Sequence, residues 1–250
     1  INDAPAQAIR VNTVLSTDEA VEQALLDEHF TFVKSKVADH AYVVTGGHVA
    51  GSKAYQDGLL TLQDESAMLP VEALQITTQV KTVLDAAAAP GGKTTQIAQY
   101  IADDATITAL DIHAHKIRLI EANAKRLHVS DKITAQVLDA RQTANQLTTK
   151  FDRILVDAPC SGFGLLRRKP EIRYDKTLED VMSLASLQGE ILDSVSQNVA
   201  DNGMIVYSTC TILRQENDDV IARFLSKHTD FELVPTMTSK ALKSNRQETV

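Results

Sequence analysis

The stretch from Asp85 to Thr94, DAAAAPGGKT, ends like a phosphate-binding turn, yet the rest of that pattern is missing. A phosphate loop needs a leading glycine five residues before Gly92, where Ala87 stands, and Pro90 removes a backbone N–H that would cradle phosphate oxygens. The dinucleotide pattern Gly-x-Gly-x-x-Gly is absent too, because Gly91 and Gly92 are adjacent and Thr95 fills the third place. What the turn offers is small residues, Ala87, Ala88 and Ala89, ahead of Gly91, Gly92 and Lys93, so that a ligand can lie against backbone at a helix start. Asp111 follows Gly91 by 20 residues, close to the spacing at which a carboxylate accepts from a ribose diol. Asp139, in VLDAR, is placed to accept from the exocyclic amine of a purine. Together these features suit a nucleoside that carries an amino-acid tail in place of a pyrophosphate, which describes S-adenosylmethionine. Any one of the aspartates could be a helix cap; three in series after successive strands favour the ligand.

The chain has two cysteines, Cys160 in DAPCSG and Cys210 in YSTCTILRQEN, too few for a disulfide framework or a cysteine-built metal site, and no metal is expected. A lone cysteine is usually a small buried hydrophobe, but each of these follows a strand-like run and stands among polar residues. A thiolate adding to carbon 6 of a cytosine would make carbon 5 nucleophilic enough to take a sulfonium methyl, and a carboxylic acid near ring nitrogen 3 would offset the developing charge. Asp157, three residues before Cys160, suits the acid role if a closed site raises its pKa. A base must afterwards take the carbon-5 proton so that the thiolate can leave. Residue chemistry alone leaves open which cysteine attacks.

Positioning these groups requires a frame, and from about residue 78 the sequence supplies one. Strand-like VKTVLDA, ATITALDI, KITAQVLDA, FDRILVDAP and GMIVYSTC alternate with helical KTTQIAQYIA, with HAHKIRLIEANAKRLHV, with a helix over 178–200 and with another over 217–227. In the second of these helices Ile117, Ile120, Ala124 and Leu127 share one face. Such alternation predicts an α/β fold with a mostly parallel, doubly wound sheet, whose ligands sit beyond the carboxyl ends of the strands. Asp85, Asp111, Asp139, Asp157 and Cys210 all fall at or just past a predicted strand end. The first seventy-odd residues read as a small α+β subdomain: AIRVNTVL is strand-like, STDEAVEQALLDEH is a helix with Ser16 and Glu19 as a capping box, YVVTGGHVAGS is a strand and turn, and QDESAMLPVEAL is a short helix. The expected division is 1–78 and 79–250, with no linker between.

Hydrophobic residues make up 44% of the 250, and no apolar run approaches the length of a membrane span. INDAPAQAIR lacks the layout of a secretory signal, so a cytoplasmic protein without membrane contact is expected, and the abrupt Ile1 start suggests a fragment. Of the net charge of −8, residues 1–78 carry −7, so the chain as a whole lacks the basic signature of a nucleic-acid binder. The local exception is RRKPEIR, in which Arg167, Arg168, Lys169 and Arg173 follow the first cysteine and are the candidate contacts to phosphate.

The order DAAAAPGGKTTQIA, ALDIHAHKIRLI, VLDAR, VDAPCSGFGLLRRKPEIRY and YSTCTILRQEN resembles the RNA cytosine-5 methyltransferases of the NOL1/NOP2/Sun family, most nearly its bacterial members acting on small-subunit (16S) ribosomal RNA. IRVNT and YQDGLLTLQDESAM extend the match upstream. The resemblance implies a Rossmann-like methyltransferase domain behind a small RNA-recognition-like subdomain, with S-adenosylmethionine as cofactor and RNA as partner; a monomer is expected. It implies a cofactor loop of Ala87, Ala88, Ala89, Pro90, Gly91, Gly92 and Lys93, with Asp111 on the ribose, Asp139 at the adenine and Asp157 beside the reacting centre. It also implies that Cys210 of the Thr-Cys motif attacks and that Cys160 of the Pro-Cys motif assists product release, whereas in DNA cytosine-5 methyltransferases a Pro-Cys cysteine attacks. Ala87 stands where many relatives have Cys. The helical RNA-binding domain that precedes bacterial members is absent, as is the last hairpin of the family, so truncation at both ends is expected. Methylation of transfer RNA or of large-subunit ribosomal RNA, and a non-catalytic RNA-binding module, are the alternatives; the retained thiol pair argues against the last.

Overall fold

The computed structural model describes residues 7–166, 169–238 and 240, without the side chains of Arg173 and Asp175. Its first part builds an antiparallel sheet of β1 (Gln7–Val11), β2 (Thr31–Lys34), β3 (Ala41–Thr45) and β4 (Leu60–Leu62) in the order β2-β3-β1-β4, with α1 (Asp18–Asp27) and the single turn α2 (Lys53–Gln56). Ile9, Val11, Tyr42, Val44 and Leu60 from the sheet bury Val21 and Leu25 of α1 between them. The N-cap of α1 is Thr17 and not Ser16: the Thr17 hydroxyl accepts the Ala20 N–H at 3.3 Å, while the Ser16 N–H is held in a turn on the Asn12 carbonyl at 2.9 Å. Helix α3 (Glu65–Ala73) leads into the second sheet.

That sheet consists of β5 (Thr82–Asp85), β6 (Thr106–Asp111), β7 (Ile133–Val137), β8 (Phe151–Asp157) and β9 (Val199–Ser208), all parallel, in the order β7-β6-β5-β8-β9. Between the strands run α4 (Gly92–Tyr100), α5 (Ala114–Arg126), the short α6 (Thr143–Gln146) and α7 (Ile172–Asp175), and α8 (Leu178–Ser196); α9 (Asp218–Lys227) follows β9. The alternating side chains of β5 and β8 serve two cores. Leu84, Ile154 and Val156 pack with Ala185, Leu192 and Val195 of α8 and Val220 and Phe224 of α9. Val83 and Leu155 pack on the opposite face with Val71 of α3, Ile97 of α4 and Ala124 of α5. This is the Rossmann-like layering of a doubly wound sheet. Helix α8 opens with a capping box between Thr177 and Asp180 and stops at Ser196, earlier than the periodicity predicts. The chain turns there because β9 starts at Val199, opposite Phe151; after an irregularity the ladder resumes at the Arg153–Met204 pair.

The two sheets are joined by polar side chains. Asn12 Nδ2 donates to the carbonyls of Gly58 at 2.8 Å and Leu127 at 2.9 Å. The buried Arg10 guanidinium donates to Gln63, to Gln99 and, through Nη2, to the Gly92 carbonyl at 3.3 Å and Thr95 Oγ1 at 3.2 Å. Arg126 stacks over the Tyr55 ring, 3.9 Å from its centroid. Among the described residues no helix is long and apolar enough to cross a membrane.

Candidate active site

In the order β7-β6-β5-β8-β9 the direction of winding reverses between β5 and β8, and the loops after those strands flank the crevice where α/β sheets hold ligands. The loop after β5 is pinned from below by the Ala86 N–H on the Leu155 carbonyl at 2.9 Å and the Ala88 N–H on the Leu110 carbonyl at 2.8 Å. Gly91 caps α4 in the left-handed region at φ 103°, and a Cβ there would stand 3.1 Å from Ile120 Cα, so that both conformation and space call for glycine. A Cβ at Gly92 would meet nothing closer than 3.9 Å. Beneath the loop, fully buried Asp85 accepts the Thr94 hydroxyl at 2.7 Å on Oδ2, while Oδ1 has no partner among the described residues. Burial raises its carboxyl to about 6. A small-residue cradle at a helix N-terminus, above a carboxylate oxygen lacking a donor, fits a ligand with both a carboxylate and an ammonium.

Asp111 ends β6; its Oδ1 accepts the His113 N–H at 2.9 Å, and Lys116 Nζ stands 3.8 Å from Oδ2. Asp139 lies two residues past β7 and caps the short turn that follows by accepting the Arg141 N–H at 2.9 Å, whereas Asp111 closes a turn before α5 without capping that helix. Arg141 further grips Asp139 through Nη2 at 2.6 Å, and this hydrogen bonding holds the Asp139 carboxyl below the usual range. Arg141 engages both oxygens of Asp139 through its N–H, Nε and Nη2, whereas among the described residues a single hydrogen bond reaches Asp111.

Asp157 ends β8, where its Oδ2 accepts Lys93 Nζ at 2.7 Å and its Oδ1 accepts the Ser208 hydroxyl at 2.8 Å. Lys93, expected in the loop, lies in the first turn of α4, and its ammonium points to Asp157. Cys160 and Cys210, 50 residues apart in sequence, bring their sulfur atoms to 3.0 Å because β8 and β9 are neighbours. Cys210 is exposed, and the Cys210 N–H points at Cys160 Sγ at 3.3 Å. The Cys160 hydrogen bond draws the Cys210 thiol down to about 7, whereas that same bond and burial push Cys160 upward. Of the two thiols, Cys210 is the one shifted toward the thiolate.

Of the basic cluster, Arg167 and Arg168 and the Arg173 side chain lie outside the described residues; Lys169 is exposed at the start of the segment that leads to α7. Sequence reasoning missed Ser208, Ser161, Thr211, Gln188 and Glu216, polar side chains packed beneath the thiols. The one signal available was the polar run QEN that follows Cys210 within one loop. Among the described residues no group of three or more His, Cys, Asp or Glu could hold a metal ion.

Residues 72–250 match the family described as 16S rRNA methyltransferase RsmB/F. The chain is 42% identical over 229 residues to the "Probable ribosomal RNA small subunit methyltransferase B" of Bacillus subtilis (strain 168), an alignment that covers 91% of this chain and 51% of the relative. It thus spans about half the length of that curated relative. The crystal structure of PH0851 superposes with a TM-score of 0.91 at 29% identity, covering 99% of this chain and 56% of that one. A methyltransferase homolog protein from Pyrococcus horikoshii gives 0.82 at 29%, covering 93% and 73%. With that match over more than half of the chain, including the whole second sheet and its helices, the chain belongs to the RsmB/F family of 16S rRNA methyltransferases.

Proposed function

We propose that the chain carries the catalytic part of an S-adenosylmethionine-dependent enzyme that methylates carbon 5 of a cytosine in small-subunit ribosomal RNA through a covalent bond to Cys210. The observation that carries this reading is the thiol pair, 3.0 Å apart at the carboxyl edge of the sheet, with Cys210 drawn toward the thiolate at neutral pH. When bound, S-adenosylmethionine supplies an electrophilic sulfonium methyl. The residues that would hold it are Ala87, Ala88, Ala89, Pro90, Gly91, Gly92 and Lys93, with Asp111 for the ribose and Asp139 for the adenine.

The Cys210 thiolate adds to carbon 6 of the ring, and the electron pair displaced toward carbon 5 becomes the nucleophile for the methyl group. Asp157 takes the place beside ring nitrogen 3, where as the carboxylic acid it donates a proton to the charge that builds on the ring, and the Lys93 ammonium beside it helps offset that charge. After transfer, a base from solvent takes the carbon-5 proton, its electron pair reforms the carbon 5–carbon 6 double bond and Cys210 leaves as thiolate; Cys160, beside it, assists that release. Arg167, Arg168, Lys169 and Arg173 are the proposed phosphate contacts, and the family match favours ribosomal over transfer RNA.

Small-subunit ribosomal RNA carrying 5-fluorocytidine tests the reading, because fluorine replaces the proton that must be lost and the thioether persists. With S-adenosylmethionine present, an adduct stable to denaturing gels is expected; Cys210→Ala should abolish it, and Cys160→Ala should accumulate an adduct even on ordinary RNA. An adduct that survives loss of Cys210 and vanishes with Cys160 would reverse the two roles.

A further inference from the structure

Glu216 is fully buried, and among the described residues no cation is bonded to it, although an unpaired carboxylate is costly to bury. Its Oε1 accepts the Ser161 N–H at 2.9 Å and Gln188 Nε2 at 3.1 Å, and its Oε2 accepts the Ser161 hydroxyl. Ser161 Oγ in turn meets Thr211 Oγ1 at 3.0 Å. A carboxylate only accepts, so the chain of donors runs one way, from Thr211 to Ser161 to Glu216. Gln188 Nε2 also donates to the Pro159 carbonyl at 2.9 Å, and the Tyr207 hydroxyl donates to the Glu216 carbonyl at 2.6 Å.

Ser161 follows Cys160 directly and Thr211 follows Cys210 directly. One buried side chain is thus bonded to the neighbour of the first thiol and, through a single hydroxyl, to the neighbour of the second. The loops are also in contact where the Gly164 N–H donates to the Cys210 carbonyl at 2.9 Å; a Cβ on Gly164 would come within 2.7 Å of that oxygen.

We propose that Glu216 is a positioning residue that clamps the loop after β8 to the loop after β9 and so sets the distance between the Cys160 and Cys210 sulfur atoms. The inference deepens the reading of Cys210 as nucleophile and rests on it for its catalytic meaning. The geometry itself can be measured without RNA or cofactor. The groups that face the Cys210 sulfur are Cys160, the Asp157 carboxylate and the Lys93 ammonium, and the contact with Cys160 is the one the clamp would set.

The test is the pH dependence of Cys210 alkylation by iodoacetamide, followed peptide by peptide by mass spectrometry, with circular dichroism as the check on folding. The unaltered chain should show a midpoint near 7. Glu216→Ala should move it upward by about one pH unit, toward an ordinary thiol. Ser161→Ala, which removes only the bridging hydroxyl, should move it the same way by about half a unit, and it carries the test alone if Glu216→Ala does not fold. Glu216→Gln keeps an acceptor for the Ser161 N–H and should restore the midpoint. Unmoved midpoints in the folded variants overturn the proposal, as does a Glu216→Gln midpoint displaced as far as that of Glu216→Ala, which would assign the effect to charge. Shifted midpoints together with no 5-fluorocytidine adduct would leave the clamp standing and remove the catalytic reading.

Discussion

Asp85 gives a prediction in which stability and ligand binding pull in opposite directions. Its carboxyl is raised from 3.8 to about 6, first by burial, against the hydrogen bond from Thr94. The folded protein therefore holds this proton more tightly than the unfolded chain does. The stabilisation is fully present below pH 3.8 and is lost as the pH rises through about 6. At about 1.4 kcal/mol per unit, the ionised group should cost about 3 kcal/mol at pH 7, a large part of a typical folding free energy. Asp85→Asn removes the titration, and its amide oxygen can still accept the Thr94 hydroxyl. In urea unfolding without cofactor at pH 4 to 7, the parent should lose about 2–2.5 kcal/mol relative to the variant across the range. Carboxyls held low, such as Asp18 and Asp139, contribute with opposite sign but cancel in the difference. The same substitution should weaken S-adenosylmethionine binding measured by calorimetry, because it places an amide donor where Oδ1 lacks a partner. Parallel pH profiles for parent and variant would refute the argument.

Arg10→Met should destabilise the chain by about 2–3 kcal/mol in urea, since it orphans the Gln63 and Gln99 carbonyl oxygens that bind the guanidinium between the sheets. An effect below about 1 kcal/mol would mean that relief of guanidinium burial offsets those bonds. Gly91→Ala should cost about 1–3 kcal/mol, because its φ of 103° and the 3.1 Å approach to Ile120 both oppose a side chain, and it should lower cofactor affinity in parallel. Thermal melting and calorimetry on the same sample would check both; unchanged affinity would detach the turn from the ligand.

Much of the site was legible in the residues themselves. Strand runs that end in Asp85, Asp111 and Asp157 show their termini through local apolar periodicity, and the small-residue turn shows its glycine requirement through composition alone. The α1 cap was missed by one residue, because whether Ser16 or Thr17 is free to cap depends on a turn anchored at Asn12. The end of α8 was overrun because the start of β9 is set by Phe151, nearly fifty residues earlier.

The sequence by itself determined the alternation of strands and helices, the identity of the chemical groups and their placement at strand ends, since these follow from spacings of two to four residues along one chain. Only the tertiary structure decided which strands are neighbours. That pairing brings Cys160 to 3.0 Å from Cys210, turns the Lys93 ammonium onto Asp157, and buries Glu216 under both thiol loops. The physical reason is that lateral hydrogen bonding and burial depend on residues far apart in the chain, and no local period encodes which of them will meet.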